Sequence, residues 1–319
     1  MLKGSILVTI VALLTGRITQ SNAFIQGNVN QQIGKARVAR SVWGSTGSST
    51  ERGVSREICT FDESDFALPT GEWPYTAQDL NRLDNNDDKV FYDYPRFVTH
   101  IDDNAIQSLT DYYRDEIDDT LKKNNGRKVD ILDLCSSWIS HLPEDRADSF
   151  GMVAGVGMNE EELATNEQLF VHYCQDMNKN PSLSQFQDES FDIVCNVVSV
   201  DYLTSPKQIF EETFRVLRPG GKALISFSNR CFASKAVAMW LQADDIGRLT
   251  IVGSYFHYSA KWSTIQALDI KKPPLDTPKR PSFQEIMNDP AKGFAWASTA
   301  AAVAKANSGD PMFLVKGIK

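Results

Sequence analysis

FDIVCNVVSVDYLTSPKQIFEETFRVLRPGGKALISFSN, residues 191–229, has the pattern of strand, helix and strand. Residues 191–200 are nearly unbroken in apolar character and rich in Val, which suits a strand covered on both faces in a parallel sheet. The helix starts at Ser205-Pro206: a hydroxyl cap, then a proline whose missing N–H costs nothing at the first helical position, with Gln208 completing the cap. Ile209, Phe210, Thr213, Phe214 and Leu217 share one face at helical spacing, so that face packs on the sheet. Arg215 and Arg218 complement the helix C-terminus, and Pro219-Gly220-Gly221 ends it. Residues 222–227 form the next strand, reached by a right-handed crossover.

Working outward, residues 129–134 (VDILDL) form the first strand, 152–158 (MVAGVGM) the second and 170–173 a short third. Pro143 cuts the helix after the first strand to a turn or two. Ahead of them, Asp103 caps a helix to about Lys123, with Ile106, Leu109, Tyr113, Ile117 and Leu121 as its apolar stripe and Asn125-Gly126 as its stop. Downstream, a helix begins near Asn229 and carries Phe232 and Trp240 on one side; residues 250–258 and 312–318 read as strands. Residues 271–309 look inserted, with Ser282 and Glu285 as a capping box and an alanine-rich helix over 294–306. The alternation predicts an α/β fold, a doubly wound, mostly parallel sheet with residues 57–102 wrapped onto it and 103–319 as the domain proper.

At 319 residues and 42% hydrophobic content the chain can bury a sizeable core. Residues 1–23 read as a signal peptide, with a short apolar run after Lys3 and small residues at Ser21-Asn22-Ala23; residues 24–56 have transit-peptide composition. That leader resembles the bipartite presequences of algae with secondary plastids, which implies a plastid; plain secretion is the alternative. The first 56 residues carry a net +6 within an overall −8, so the remainder stands at −14. A body so acidic repels phosphate backbones, which argues against nucleic acid and for a small-molecule partner. No apolar run after the leader is long enough to span a bilayer. Five cysteines in no paired or metal-ligand spacing read as reduced thiols. Walker and Gly-x-Gly-x-x-Gly phosphate loops are absent from the sequence.

FDIVCNVVSVDYL followed by EETFRVLRPGGKALISFSN resembles class I S-adenosylmethionine (SAM) dependent methyltransferases, especially the ubiquinone and menaquinone methylase type. LDLCSSW, GMNEEEL and SFSNRCF are similar to a plant and algal branch of that superfamily. The resemblance implies a seven-stranded, Rossmann-like sheet with its last strand antiparallel, SAM as cofactor and a small-molecule methyl acceptor. It puts Asp133 at the donor's amino group, with Leu134, Cys135, Ser136 and Ser137 in place of the usual glycine-rich turn. It puts Gly157 where an acid usually takes the ribose, leaving that contact to Asn159 or Glu160, and it puts Asp176 and Met177 at the adenine. Asn196, in strand four, is implied at the cofactor, and Asp201 and Tyr202, just after that strand, are implied as acid or base. Tyr92, Tyr94, Arg96 and His100 are expected over the cleft. The missing glycines and the missing acid also fit a methyltransferase-like protein that binds without turnover.

Overall fold

The computed structural model describes residues 55–271 and 276–319. The presequence expected over residues 1–56 lies almost wholly outside the described residues.

Eight strands form one sheet: β1 (Arg56–Phe61), β2 (Val129–Ser136), β3 (Phe150–Gly157), β4 (Val171–Cys174), β5 (Phe191–Val197), β6 (Leu217–Phe227), β7 (Thr264–Asp269) and β8 (Phe313–Ile318). Their order is β1-β7-β8-β6-β5-β2-β3-β4. β2 pairs in parallel with both β3 and β5, β3 with β4, and β5 with β6, while β8 is antiparallel to β6 and β7. The chain therefore winds outward from β2 to β4, then returns beside β2 and winds the other way. Such a reversal opens a crevice at the carboxyl ends of the strands, here between β2 and β5.

Both faces of the sheet are covered, and successive residues of one strand serve opposite layers. Ile131, Ile193 and Leu224 face α2 (Asp103–Lys123) through Leu109, Tyr113 and Ile117. Leu132, Val194 and Ala223 face the other layer, where α4 (Pro206–Val216) brings Ile209 and Phe210, and α6 (Asp245–Ser259) brings Val252, Tyr255 and Phe256. The remaining helices are α1 (Asp88–Tyr92), α3 (Glu160–Thr165), α5 (Ala238–Gln242), α7 (Phe283–Asn288) and α8 (Pro290–Asn307). Among the described residues no helix is long and apolar enough to cross a membrane, and no group of His, Cys, Asp and Glu is set to hold a metal ion.

The strand–helix–strand unit of residues 191–229 forms as expected, with two local differences. Ser205 makes no side-chain cap bond, so Pro206 alone marks the helix start. Pro219-Gly220-Gly221 falls inside β6: Leu217 pairs with Phe191, the register shifts, and pairing resumes at Lys222 opposite Ile193. Gly220 supports that irregularity with φ of 77°.

The larger departures lie at the sheet's far edge. Residues 250–258 are helix α6, not a strand. The run is apolar on every side and buried throughout, so periodicity alone does not separate the two states. The helix is instead marked by Asp244, whose side chain accepts from the Gly247 N–H at 2.8 Å. The strand role falls to β7, which begins at Thr264, after the helix has ended at Ser259. β1 adds an eighth strand, pairing antiparallel with β7. Arg56, expected at the end of the leader, opens β1 and bridges to Asp269 at 2.7 Å. Three smaller corrections follow. Asp102, not Asp103, caps α2. The chain between β2 and β3 forms a 3-10 turn at Glu144–Ser149 instead of a short α-helix. The helix expected from Asn229 shrinks to the five residues of α5. The insertion keeps its expected capping box at Ser282 and Glu285, ahead of α7 and α8.

Candidate functional site

A cavity of about 330 Å³ lies at the carboxyl ends of β2, β3, β4 and β5, where the winding reverses. This volume is in the range of small-molecule sites. Near its end β2 is irregular at Cys135, a non-glycine residue at φ of 57°, before Ser136 pairs with Gly157. Burial pushes the Cys135 thiol up to about 12, with the neighbouring Asp133 charge adding to the effect. The next turns are built around Asp133. Ser136 Oγ and Ser140 Oγ each donate to its Oδ2 at 2.6 Å. Burial pushes the Asp133 carboxyl up to about 6, held back by those two hydroxyls. In place of a glycine-rich turn, a buried carboxylate gathers the loop through serine side chains.

The glycine that this arrangement requires has moved to β3. A Cβ on Gly157 would lie 2.1 Å from the Ser136 carbonyl oxygen, so the two strand ends can approach only with no side chain there. Beyond it, Asn159 caps α3, accepting from the Glu162 N–H at 3.0 Å. Its amide is used as well, donating to the Tyr92 carbonyl at 2.8 Å.

The opposite wall comes from the turn after β4. One oxygen of Asp176, Oδ1, accepts from the backbone N–H groups of Asn178 and Lys179. Met177 is buried beside it, and both residues line the cavity. Asn178 ties this turn to its surroundings, donating through Nδ2 to Asp88 Oδ2 and to the Tyr202 carbonyl, both at 3.0 Å.

Over the cavity runs the strap of residues 79–101. Its root is a buried charge cluster: Lys235, 1% exposed at its side chain, sits 3.0 Å from both Asp84 and Asp88, and Asp88 also binds Arg82 at 2.7 Å. Further along, Glu162 accepts from the Arg96 N–H and from Ser137 Oγ, each at 2.6 Å, and so joins strap to floor. The Arg96 guanidinium stacks 4.6 Å over the Phe91 ring and faces Phe232 at 5.7 Å. Trp138 donates to the Val98 carbonyl at 3.2 Å, which holds the indole against the strap as a wall of the cavity.

Eight residues expected from sequence line this cavity: Asp133, Cys135, Ser136 and Ser137 on the β2 side, Asn159 on α3, Asp176 and Met177 after β4, and Tyr202 after β5. Four others do not. Leu134 is buried, with its carbonyl accepting from Asn196 Nδ2 at 3.0 Å, so these two residues pin β2 to β5 beneath the site. Glu160 is exposed and pairs with His172 at 3.0 Å, away from the lining. Asp201 is 2% exposed, and burial pushes its carboxyl up to about 8. Of the strap residues, Tyr92, Arg96 and His100 line the cavity, whereas Tyr94 projects into solvent at 79% exposure. Polar lining residues that the sequence did not mark as site residues include Glu162, His141, Asp88, Asn178 and Arg230. Glu162 had a signal: it is the acid of the run 160–162 at the third helical position after its cap, the one whose N–H the capping Asn binds.

Residues 135–225 match the family model for the methyltransferase domain. Over 68 residues the chain is 34% identical to the mitochondrial ubiquinone biosynthesis O-methyltransferase of Dictyostelium discoideum, and it spans about a fifth (21%) of that protein's length. Among solved structures it is similar to phosphoethanolamine N-methyltransferase 2 of Haemonchus contortus (TM-score 0.35, 16% identity, 64% of this chain and 52% of that one). It is also similar to a SAM-dependent methyltransferase of Archaeoglobus fulgidus (TM-score 0.36, 12% identity, 66% and 98%). The residues that match the methyltransferase-domain model run from the end of β2 into β6 and so span the central strands of the sheet and one wall of the cavity.

Proposed function

We propose that the chain is a SAM-dependent methyltransferase acting on a small-molecule acceptor. The observation that carries this reading is one cavity at the sheet's switch point, bounded by residues 135–137 on one side and by Asp176 and Met177 on the other. The residues present fit the donor. Asp176 keeps Oδ2 without a partner among the described residues, an acceptor for an exocyclic amine, and Met177 offers an apolar side chain to a purine face. Bound SAM would supply a methyl group already activated on a sulfonium sulfur. The chain's own contribution is then to orient the two reactants and keep water out, which the strap and the Trp138 wall do.

Tyr202 and Asp201 are the acid–base candidates, and the geometry divides their roles. Tyr202 lines the cavity, and its hydroxyl accepts from the Phe232 N–H at 2.8 Å, so its own proton points to a separate acceptor. Burial raises the Tyr202 phenol far above its usual range, so it acts as a proton-bearing group at neutral pH. Asp201 stands behind it. Tyr202→Phe should lower turnover by about 100-fold with S-adenosylhomocysteine affinity unchanged, within the range for a positioned acid or base. The measurement is acceptor-dependent release of S-adenosylhomocysteine from SAM across phenols, amines and carboxylates. Turnover equal to the parent in both Tyr202→Phe and Asp201→Asn would remove both residues from that role.

A second reading is a methyltransferase-like binding protein without turnover. It is favoured by Gly157, which excludes an acid at the ribose position, and by Asn159, whose amide is already engaged. Saturable binding of the donor with no product from any acceptor would support it. The plastid assignment rests on leader composition alone; a fluorescent protein fused after residue 56 should enter plastids, and its secretion would favour the alternative.

A further inference from the structure

His141 has two features that the loop's architecture does not need. It is held at φ of 55°, a left-handed conformation uncommon for a residue with a Cβ, which His and Asn adopt more readily than most. Its neighbours fix it there: the His141 carbonyl accepts from Thr110 Oγ1 at 3.1 Å, and Gln168 Oε1 accepts from the N–H groups of Ser140 and Leu142 at 3.2 and 3.3 Å. An uncommon conformation that its surroundings hold so firmly directs attention to the side chain it presents.

His141 lines the cavity at the β2 end. Nδ1 is buried and has no hydrogen-bond partner among the described residues. A buried N–H without an acceptor costs more than an unused lone pair, so the proton belongs on Nε2. Burial also lowers the imidazole to about 4, so the ring is neutral at physiological pH. The lost glycine-rich turn and the shortened chain after it leave no long helix whose N-terminus could meet an anion here.

We propose that His141 is a donor-binding residue, presenting Nε2–H to the carboxylate at the amino-acid end of the methyl donor. The assignment rests on the cofactor reading above, in which the loop after β2 meets the amino-acid end and Asp176 meets the adenine. It deepens that reading by naming a replacement for the missing backbone contacts.

The test compares two ligands by calorimetric titration of the full chain: S-adenosylhomocysteine, which has the amino-acid chain, and 5′-methylthioadenosine, which keeps the nucleoside and the sulfur but lacks it. His141→Gly removes the imidazole and suits the left-handed backbone, so its thermal midpoint should equal or exceed the parent's. His141→Asn, a residue that tolerates the same φ, serves as a second folded control. The expected result is S-adenosylhomocysteine affinity weakened roughly tenfold to a hundredfold in both variants, as for one hydrogen bond to a charged group, with methylthioadenosine affinity changed less than about twofold. Equal losses for both ligands, or no loss for either, overturns the role of His141 while leaving the cofactor reading in place. A parent chain that binds neither ligand overturns both.

Discussion

A Gly157→Asp chain should bind S-adenosylhomocysteine worse than the parent. By resemblance alone the opposite is expected, because the substitution restores an acid where the superfamily holds the ribose. The geometry decides against it. The new Cβ would lie 2.1 Å from the Ser136 carbonyl oxygen and 3.1 Å from Leu163 Cδ2, and the nearer contact is backbone in a strand paired with β3 itself. A side-chain tip could turn aside, but a strand-end peptide paired with Gly157 itself cannot without moving the loop that carries Cys135 and Ser137. Overpacking of a well-packed site costs about 1–3 kcal/mol, and a clash with backbone belongs at or above the top of that range. Urea unfolding should show that loss, and titration should show weakened binding. An equally stable variant with tighter binding would mean that the strand ends are further apart than described.

Lys235→Met should cost about 3–5 kcal/mol, the range for removing one partner of a buried ion pair. The ammonium is nearly sealed from solvent and neutralises Asp84 and Asp88 at once, and it also donates to the Asn86 carbonyl at 3.0 Å. Removing it leaves Asp88, 5% exposed, with Arg82 as its remaining cation. The strap should loosen at its root, so donor affinity falls along with stability. The pH dependence carries a separate signature. Burial, the largest influence, pushes the Asp88 carboxyl up, but bonds from Arg82, Asn178 and Lys235 outweigh it, so the folded group titrates below its ordinary value. Its stabilisation is therefore present above the ordinary carboxylate range and is lost as pH falls through the lowered folded value. Without Lys235 the folded value rises, and acid unfolding should begin at a higher pH. A variant with the parent's stability and acid midpoint would show that the cluster does not hold the strap.

Where the sequence was legible, a local physical rule was sufficient. The 191–229 unit carried its own strand pattern, helix stripe and stop, and it formed within a few residues of expectation. The turn after β4 was reached by resemblance and not by a local rule, and the structure places its Asp176 and Met177 on the cavity. The far edge of the sheet was not legible. Residues 250–258 are apolar all round, which suits a buried helix as well as a buried strand, and β1 is ordered by pairing with β7, a partner more than 200 residues away. The β2 side of the cavity failed differently. Its shape depends on Asp133 collecting two serine hydroxyls and on Gly157 yielding space across the sheet, contacts that no spacing rule encodes. Glu160 and Glu162 looked equivalent in the sequence, but the Arg96 N–H and Ser137 Oγ hold one carboxylate inward while the other pairs with His172.

Two serine hydroxyls gathered by the buried Asp133, with the Cys135 side chain beside them, should leave the donor the room that glycines would provide. Calorimetric titration of the chain with S-adenosylhomocysteine tests this most directly. The account predicts saturable binding of one ligand per chain, weakened at least about tenfold by Asp176→Ala, as expected when a charged hydrogen-bond partner is lost. No saturable heat from the folded parent chain, or binding indifferent to Asp176, would contradict it.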